Sequence, residues 1–191
     1  MRTHIACPST SDPRPLDALL DRQAGLVTRG QALAAGLSGG DVDDLLRLRR
    51  LRPVQPRVYL GRDRPLDTAA RVRAALLWAG PGAVLSGTAA AWWHGLFDPP
   101  PACVTVTVPP SARRRRRARD GVAVRCGPLD PLDVETVRGV AVTALPRTVL
   151  DTAVALGPDG AEFLDRALRS RRLFPQVAQA LLTDHRVRHR R

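Results

Sequence analysis

Lysine is absent from this sequence, and all 30 basic residues are arginine. Without lysine there can be no G-x-x-x-x-G-K-[ST] phosphate loop, and no G-x-G-x-x-G, H-E-x-x-H or C-x-x-C pattern occurs either. Nuclease centres built from clustered carboxylates usually add a lysine, so that chemistry lacks a central part. Glutamate is nearly missing too: Glu135 and Glu162 stand alone, away from any ligand cluster. The histidines, at 4, 94, 185 and 189, are scattered. These absences predict a protein that is not an enzyme and holds no metal or cofactor. Three cysteines (Cys7, Cys103, Cys126) are an odd number without metal-ligand spacing, which argues against a disulfide framework and for reduced thiols. Aromatics make up only 4%, so any core is built mainly from Leu, Val and Ala. No run approaches the roughly 18 apolar residues of a membrane span, and the start, MRTHIACPSTSDPRP, has no apolar signal region. The expectation is a cytoplasmic protein without membrane contact.

What is present is charge. The formal net charge is +12, a field that attracts polyanions without specifying a fold. Part of the arginine excess reflects a GC-rich coding bias, which also favours Ala, Leu, Val, Pro and Gly. Through residue 64 there are 11 arginines against 7 aspartates, and beyond it 19 arginines against 11 acids. Six of the latter arginines (Arg113, Arg114, Arg115, Arg116, Arg117, Arg119) crowd into PPSARRRRRARDG.

Periodicity predicts an α+β chain. Residues 1–14 read as a disordered leader. Leu16, Leu19 and Leu20 mark a first helix stopping at Gly25. Thr28 and Gln31 fit a capping box opening a second helix that stops at Gly36. Ser38 is a plausible N-cap for a third, with Asp41 favourable near the positive end of the helix dipole and Val42, Leu45 and Leu46 as its buried stripe. RRLRPVQPRVYLG then reads as two strands around Gln55-Pro56. Three short helices and a hairpin are the order of a winged helix-turn-helix, expected over residues 15–62. GRDRPLD is the expected boundary. A second, mixed α/β domain follows over 66–182, and 183–191 form a basic tail. In it ACVTVTVPP and GVAVRCG alternate as two strands, expected to form a β-hairpin with the arginine run at its tip. In that register Cys126 points inward and Cys103 outward, so no disulfide joins them. Trp92, Trp93 and His94 read as core and helix cap. GVAVTALP gives a further strand, and the chain closes with C-terminal helices.

Four stretches, GLVTRGQALAAGLS, RPVQPRVYL, GPGAVLSGTAAAWWHGL and VRGVAVTALPRTVLDTA, together resemble the AbiEi-type antitoxins of type IV toxin–antitoxin systems, over about residues 16–156. The resemblance is to a short, actinobacterial-like member lacking the nuclease-like extension of longer relatives. It implies a winged-helix regulator that binds double-stranded DNA at its own operator. It also implies functional pairing with a nucleotidyltransferase-like toxin, for which direct contact is not required.

On the winged-helix pattern, the expected DNA-binding residues are Thr28, Arg29, Gln31, Ser38, Arg47, Arg49, Arg50, Arg52 and Arg57. The six arginines of the run would add sequence-blind phosphate contacts, or serve only as a solvated loop. The third helix begins acidic, with Asp41, Asp43 and Asp44, which disfavours phosphates but leaves cytosine N4 as a possible partner. Two other readings stand beside the regulator: an adaptor docking an acidic protein through the basic loop and tail, and an inactive remnant of a longer nuclease-bearing relative.

Overall fold

A computed structural model describes residues 14–115 and 121–169, with side chains for 16–112 and 121–169. The chain divides into two compact units, the first ending at Ala70 and the second beginning at Arg71. The expected leader, the second C-terminal helix and the basic tail lie outside the described residues.

The first unit runs α1 (Arg14–Arg22), β1 (Leu26–Thr28), α2 (Arg29–Ala34), α3 (Gly39–Arg47), β2 (Leu51–Gln55) and β3 (Val58–Gly61). After α1 the chain turns through Gly25, whose positive φ of 83° suits glycine and whose N–H donates to the Leu20 carbonyl. β1, too short to show alternation, pairs with β3, giving an antiparallel sheet in the order β1-β3-β2. Pro53, which has no N–H to donate, sits on edge strand β2 beside a register shift. One apolar cluster holds these elements together: Leu16, Val27, Ala32, Leu37, Val42, Leu51 and Tyr59, with Leu45 and Leu46 half-buried against it.

The second unit contains α4 (Thr68–Ala79), whose first turn precedes the division, then β4 (Val84–Leu85), α5 (Gly87–Trp93), β5 (Val104–Val108) and β6 (Val122–Cys126). It continues with β7 (Val134–Val137), β8 (Val140–Thr143), α6 (Leu145–Leu156) and α7 (Gly160–Arg169). The sheet order is β6-β5-β4-β8-β7. Here one expectation fails. β5 and β6 are not a hairpin but parallel neighbours, with Val104 beside Val122 and Val108 beside Cys126. The connection over 109–121 is long enough to return to the start of β5, and parallel pairing needs about a dozen residues. Its first part, Pro110–Arg115, is a 3-10 turn. The arginine run therefore belongs to a crossover rather than a hairpin tip. Cys103 and Cys126 consequently lie at opposite ends of the strand pair. Both are free and exposed, so Cys126 does not point inward.

The hairpin of this unit is β7–β8, joined by Arg138 and Gly139 with φ of 50° and 72°. Positive φ at both central residues is the two-residue turn that matches strand twist. An arginine is costly there, and its contacts explain its presence. The Arg138 guanidinium lies 4.3 Å from the Trp93 ring centroid and donates to the Trp93 carbonyl. Arg73 is also over the ring, at 5.0 Å, while Trp93 Nε1 donates to the Val137 carbonyl at 2.8 Å. Alanines 89–91 of α5 are fully buried, which lets this helix lie close against its neighbours. Val149, Phe163 and Ala167 complete a second apolar cluster with Ala91.

Candidate nucleic-acid interface

The residues expected to contact DNA fall into two groups once their hydrogen bonds are traced. The first group builds the helices. Thr28 ends β1 and caps α2: its Oγ1 accepts from the Gln31 N–H at 3.1 Å, and Gln31 Oε1 accepts from the Thr28 N–H at 2.9 Å. Gln31 Nε2 donates to Gln23 Oε1 at 3.0 Å, so both ends of this amide are engaged. Ser38 and Asp41 form a second capping box at the start of α3, again reciprocal, at 3.1 and 2.8 Å. Arg29 joins α2 to α3. Its Nη1 and Nη2 donate to the two oxygens of Asp43 at 2.6 and 3.2 Å, and Nη2 also reaches the Gly39 carbonyl at 3.1 Å.

This fork raises the Arg29 pKa above its ordinary range, chiefly through the Asp43 hydrogen bond, with Tyr59 also contributing. The same bond lowers the pKa of Asp43. Thr28, Arg29, Gln31 and Ser38 therefore set the geometry of the helices.

The acidic start of α3 changes character accordingly. Asp41 is drawn into the cap, Asp43 is neutralised by Arg29, and Asp44 accepts from Arg47 Nη2 at 3.0 Å. Each aspartate that would repel a phosphate already has a partner within the unit.

The second group is exposed cation. Arg49, Arg50 and Arg57 make no ion pair or side-chain hydrogen bond with any described residue, and all three are exposed. Arg52 is exposed too, with Nη2 donating to the Arg64 carbonyl at 2.8 Å. Arg62, missed in the sequence, belongs with them. The Leu51–Gly61 register places it opposite Arg50, and its N–H donates to the Arg50 carbonyl at 2.9 Å. Knowing that register would have been enough to find it. Arg49, Arg50 and Arg62 thus gather at the base of the β2–β3 hairpin, and Arg57 sits at its turn, where its carbonyl accepts from the Arg29 N–H. Like charges directly opposite one another across strands are destabilising, so Arg50 and Arg62 add unfavourable charge at the base of the hairpin.

In the second unit, the side chains of Arg113, Arg114 and Arg115, and the whole of Arg116, Arg117 and Arg119, lie outside the described residues. His94 caps α5, and Nε2 lies 2.9 Å from the Thr143 carbonyl, which can only accept, so Nε2 carries the proton. Glu135 approaches His94 at 3.8 Å and accepts from the Leu145 N–H at 3.0 Å. Arg147 ties Asp151 to Asp133. Burial pulls its pKa down, but the two carboxylates outweigh this and raise it overall. Among the described residues no group of three His, Cys, Asp or Glu side chains could hold a metal, and no helix is long and apolar enough to cross a membrane.

No protein-family model and no curated protein matches the chain. Among solved structures, the RV2827C protein from Mycobacterium tuberculosis aligns at 16% identity with a TM-score of 0.49, covering 83% of this chain and 71% of that one. So loose a likeness carries no argument about fold or function.

Proposed function

We propose that the chain is a DNA-binding antitoxin and transcriptional regulator whose first unit is a winged helix-turn-helix that binds its own operator. The observation that carries the DNA-binding part is the set of exposed arginines whose side chains have no partner among the described residues, Arg49, Arg50, Arg57 and Arg62, on the hairpin that follows α3. The element order supports the wing: three helices, a two-stranded hairpin, and β1 completing the sheet. Phosphates neutralise these guanidinium groups and relieve their mutual repulsion. The toxin–antitoxin part rests on the resemblance of the four sequence stretches, with a nucleotidyltransferase-like toxin as functional partner. In this reading the protein is cytoplasmic and non-enzymatic, and the hairpin supplies grip rather than sequence discrimination.

A mobility-shift titration with a duplex from the gene's own upstream region tests this. The wild-type chain should retard the duplex, with log K falling linearly against log salt. Replacing Arg49, Arg50, Arg57 and Arg62 together with Gln should flatten that slope, by about 0.9 for each phosphate that is no longer neutralised. Failure of the wild-type protein to shift any duplex at low salt would sink the proposal.

A further inference from the structure

We infer that Asp44 and Arg47 form a base-reading pair on α3, recognising a guanine and an adjacent cytosine through the major groove. The inference rests on the DNA-binding reading and adds the site of discrimination. The exposed face of α3 carries few side chains able to reach a base edge. Gly39 and Gly40 have none, Asp41 is drawn into the cap, and both oxygens of Asp43 are held by Arg29. Among the described residues, Asp44 and Arg47 are the charged side chains of this face tied to no other element, with 62% and 75% of their side-chain surface exposed.

They are three residues apart, on neighbouring turns of one helix face, and touch through a single hydrogen bond, from Arg47 Nη2 to Asp44 Oδ1 at 3.0 Å. That contact steadies the guanidinium while leaving most of its donor fork open. A fork of that shape matches guanine O6 and N7, the commonest specific contact in the major groove. The second Asp44 oxygen can only accept. It suits the amino group of cytosine and rejects the acceptor edges of guanine and thymine.

The electrostatics allow the approach. The Asp44–Arg47 and Asp43–Arg29 pairs leave this face near neutrality, while the hairpin arginines supply attraction to the backbone. Affinity and discrimination would then reside in different residues.

The test is selection of bound duplexes from a randomised pool by the full chain and by the Asp44→Asn and Arg47→Ala variants. Matching thermal melts should show that both variants fold, since both side chains are exposed. The wild type should enrich a guanine next to a cytosine. Asp44→Asn should exchange the cytosine preference for adenine, whose N6 and N7 an asparagine side chain engages together. Arg47→Ala should lose the guanine preference by about tenfold or more. If both variants select the wild-type motif, or the wild type binds duplexes without preference, the pair does not read bases and DNA binding itself stands. If the wild type binds no duplex, this inference fails together with the reading beneath it.

Discussion

Arg29 holds both oxygens of Asp43 and the Gly39 carbonyl, so the first residue of the second helix fixes where the third helix begins. The pair gives a pH signature whose direction follows from Asp43. Because its pKa is lowered in the folded chain, its contribution is fully present above the ordinary aspartate value of about 4 and is lost as pH falls through the lowered value. Asp43→Asn should therefore melt below the wild type at neutral pH, with the gap closing as the solution is acidified into that window. Parallel melting curves across acid pH check this, and a gap independent of pH would separate Asp43 from the Arg29 fork. The Thr28–Gln31 capping box was legible in the sequence because its partners lie three residues apart, and Ser38 was legible as an N-cap. In the sequence the return bond from Asp41 reads only as a favourable charge near the helix dipole. The Arg29–Asp43 fork was not legible, since it spans fourteen positions and depends on the angle between α2 and α3.

At the scale of elements, the packing of α6 against α7 is set by the absence of a side chain. A Cβ built on Gly160 would lie 1.9 Å from the Ala153 carbonyl oxygen and 2.8 Å from its carbon. Backbone cannot swing aside as a flexible side chain can, so the start of α7 must move away from α6. Gly160→Ala should cost about 1–3 kcal/mol despite alanine's better helix propensity. Thermal or denaturant unfolding measures it, and a neutral or stabilising result would mean that α7 does not pack on α6 in this way. Nothing in GPDGAEFLDRAL announces that close approach, because periodicity identifies the buried face of a helix and not how near its neighbour comes. The same limit applies to the strands. Alternating valines located β5 and β6, but a connection of that length permits either direction of pairing, and only the sheet settles on parallel. β1 and β4, three and two residues long, are too short to carry a period at all.

For the whole molecule, the charge pattern and the core pattern divide the chain differently. Arginine excess is larger beyond residue 64, yet four exposed arginines of the first unit, Arg49, Arg50, Arg57 and Arg62, whose side chains pair with no described residue, gather on the β2–β3 hairpin, a clustering that net charge alone does not reveal. The cluster around Val42 and Tyr59 and the cluster around Val149 and Phe163 share no residue. All three tryptophans, Trp78, Trp92 and Trp93, lie in the second unit, whereas the first has the chain's single tyrosine, Tyr59. Tryptophan fluorescence therefore reports on one unit and far-ultraviolet circular dichroism on both. Val42 is fully buried on α3, and Val42→Ala should weaken the first unit by about 2 kcal/mol through reduced burial and the cavity it opens. With separate cores, the variant should shift the part of the dichroism transition owed to the first unit and leave the fluorescence transition where it is. A matching shift in fluorescence would mean that the two cores unfold as one cooperative unit.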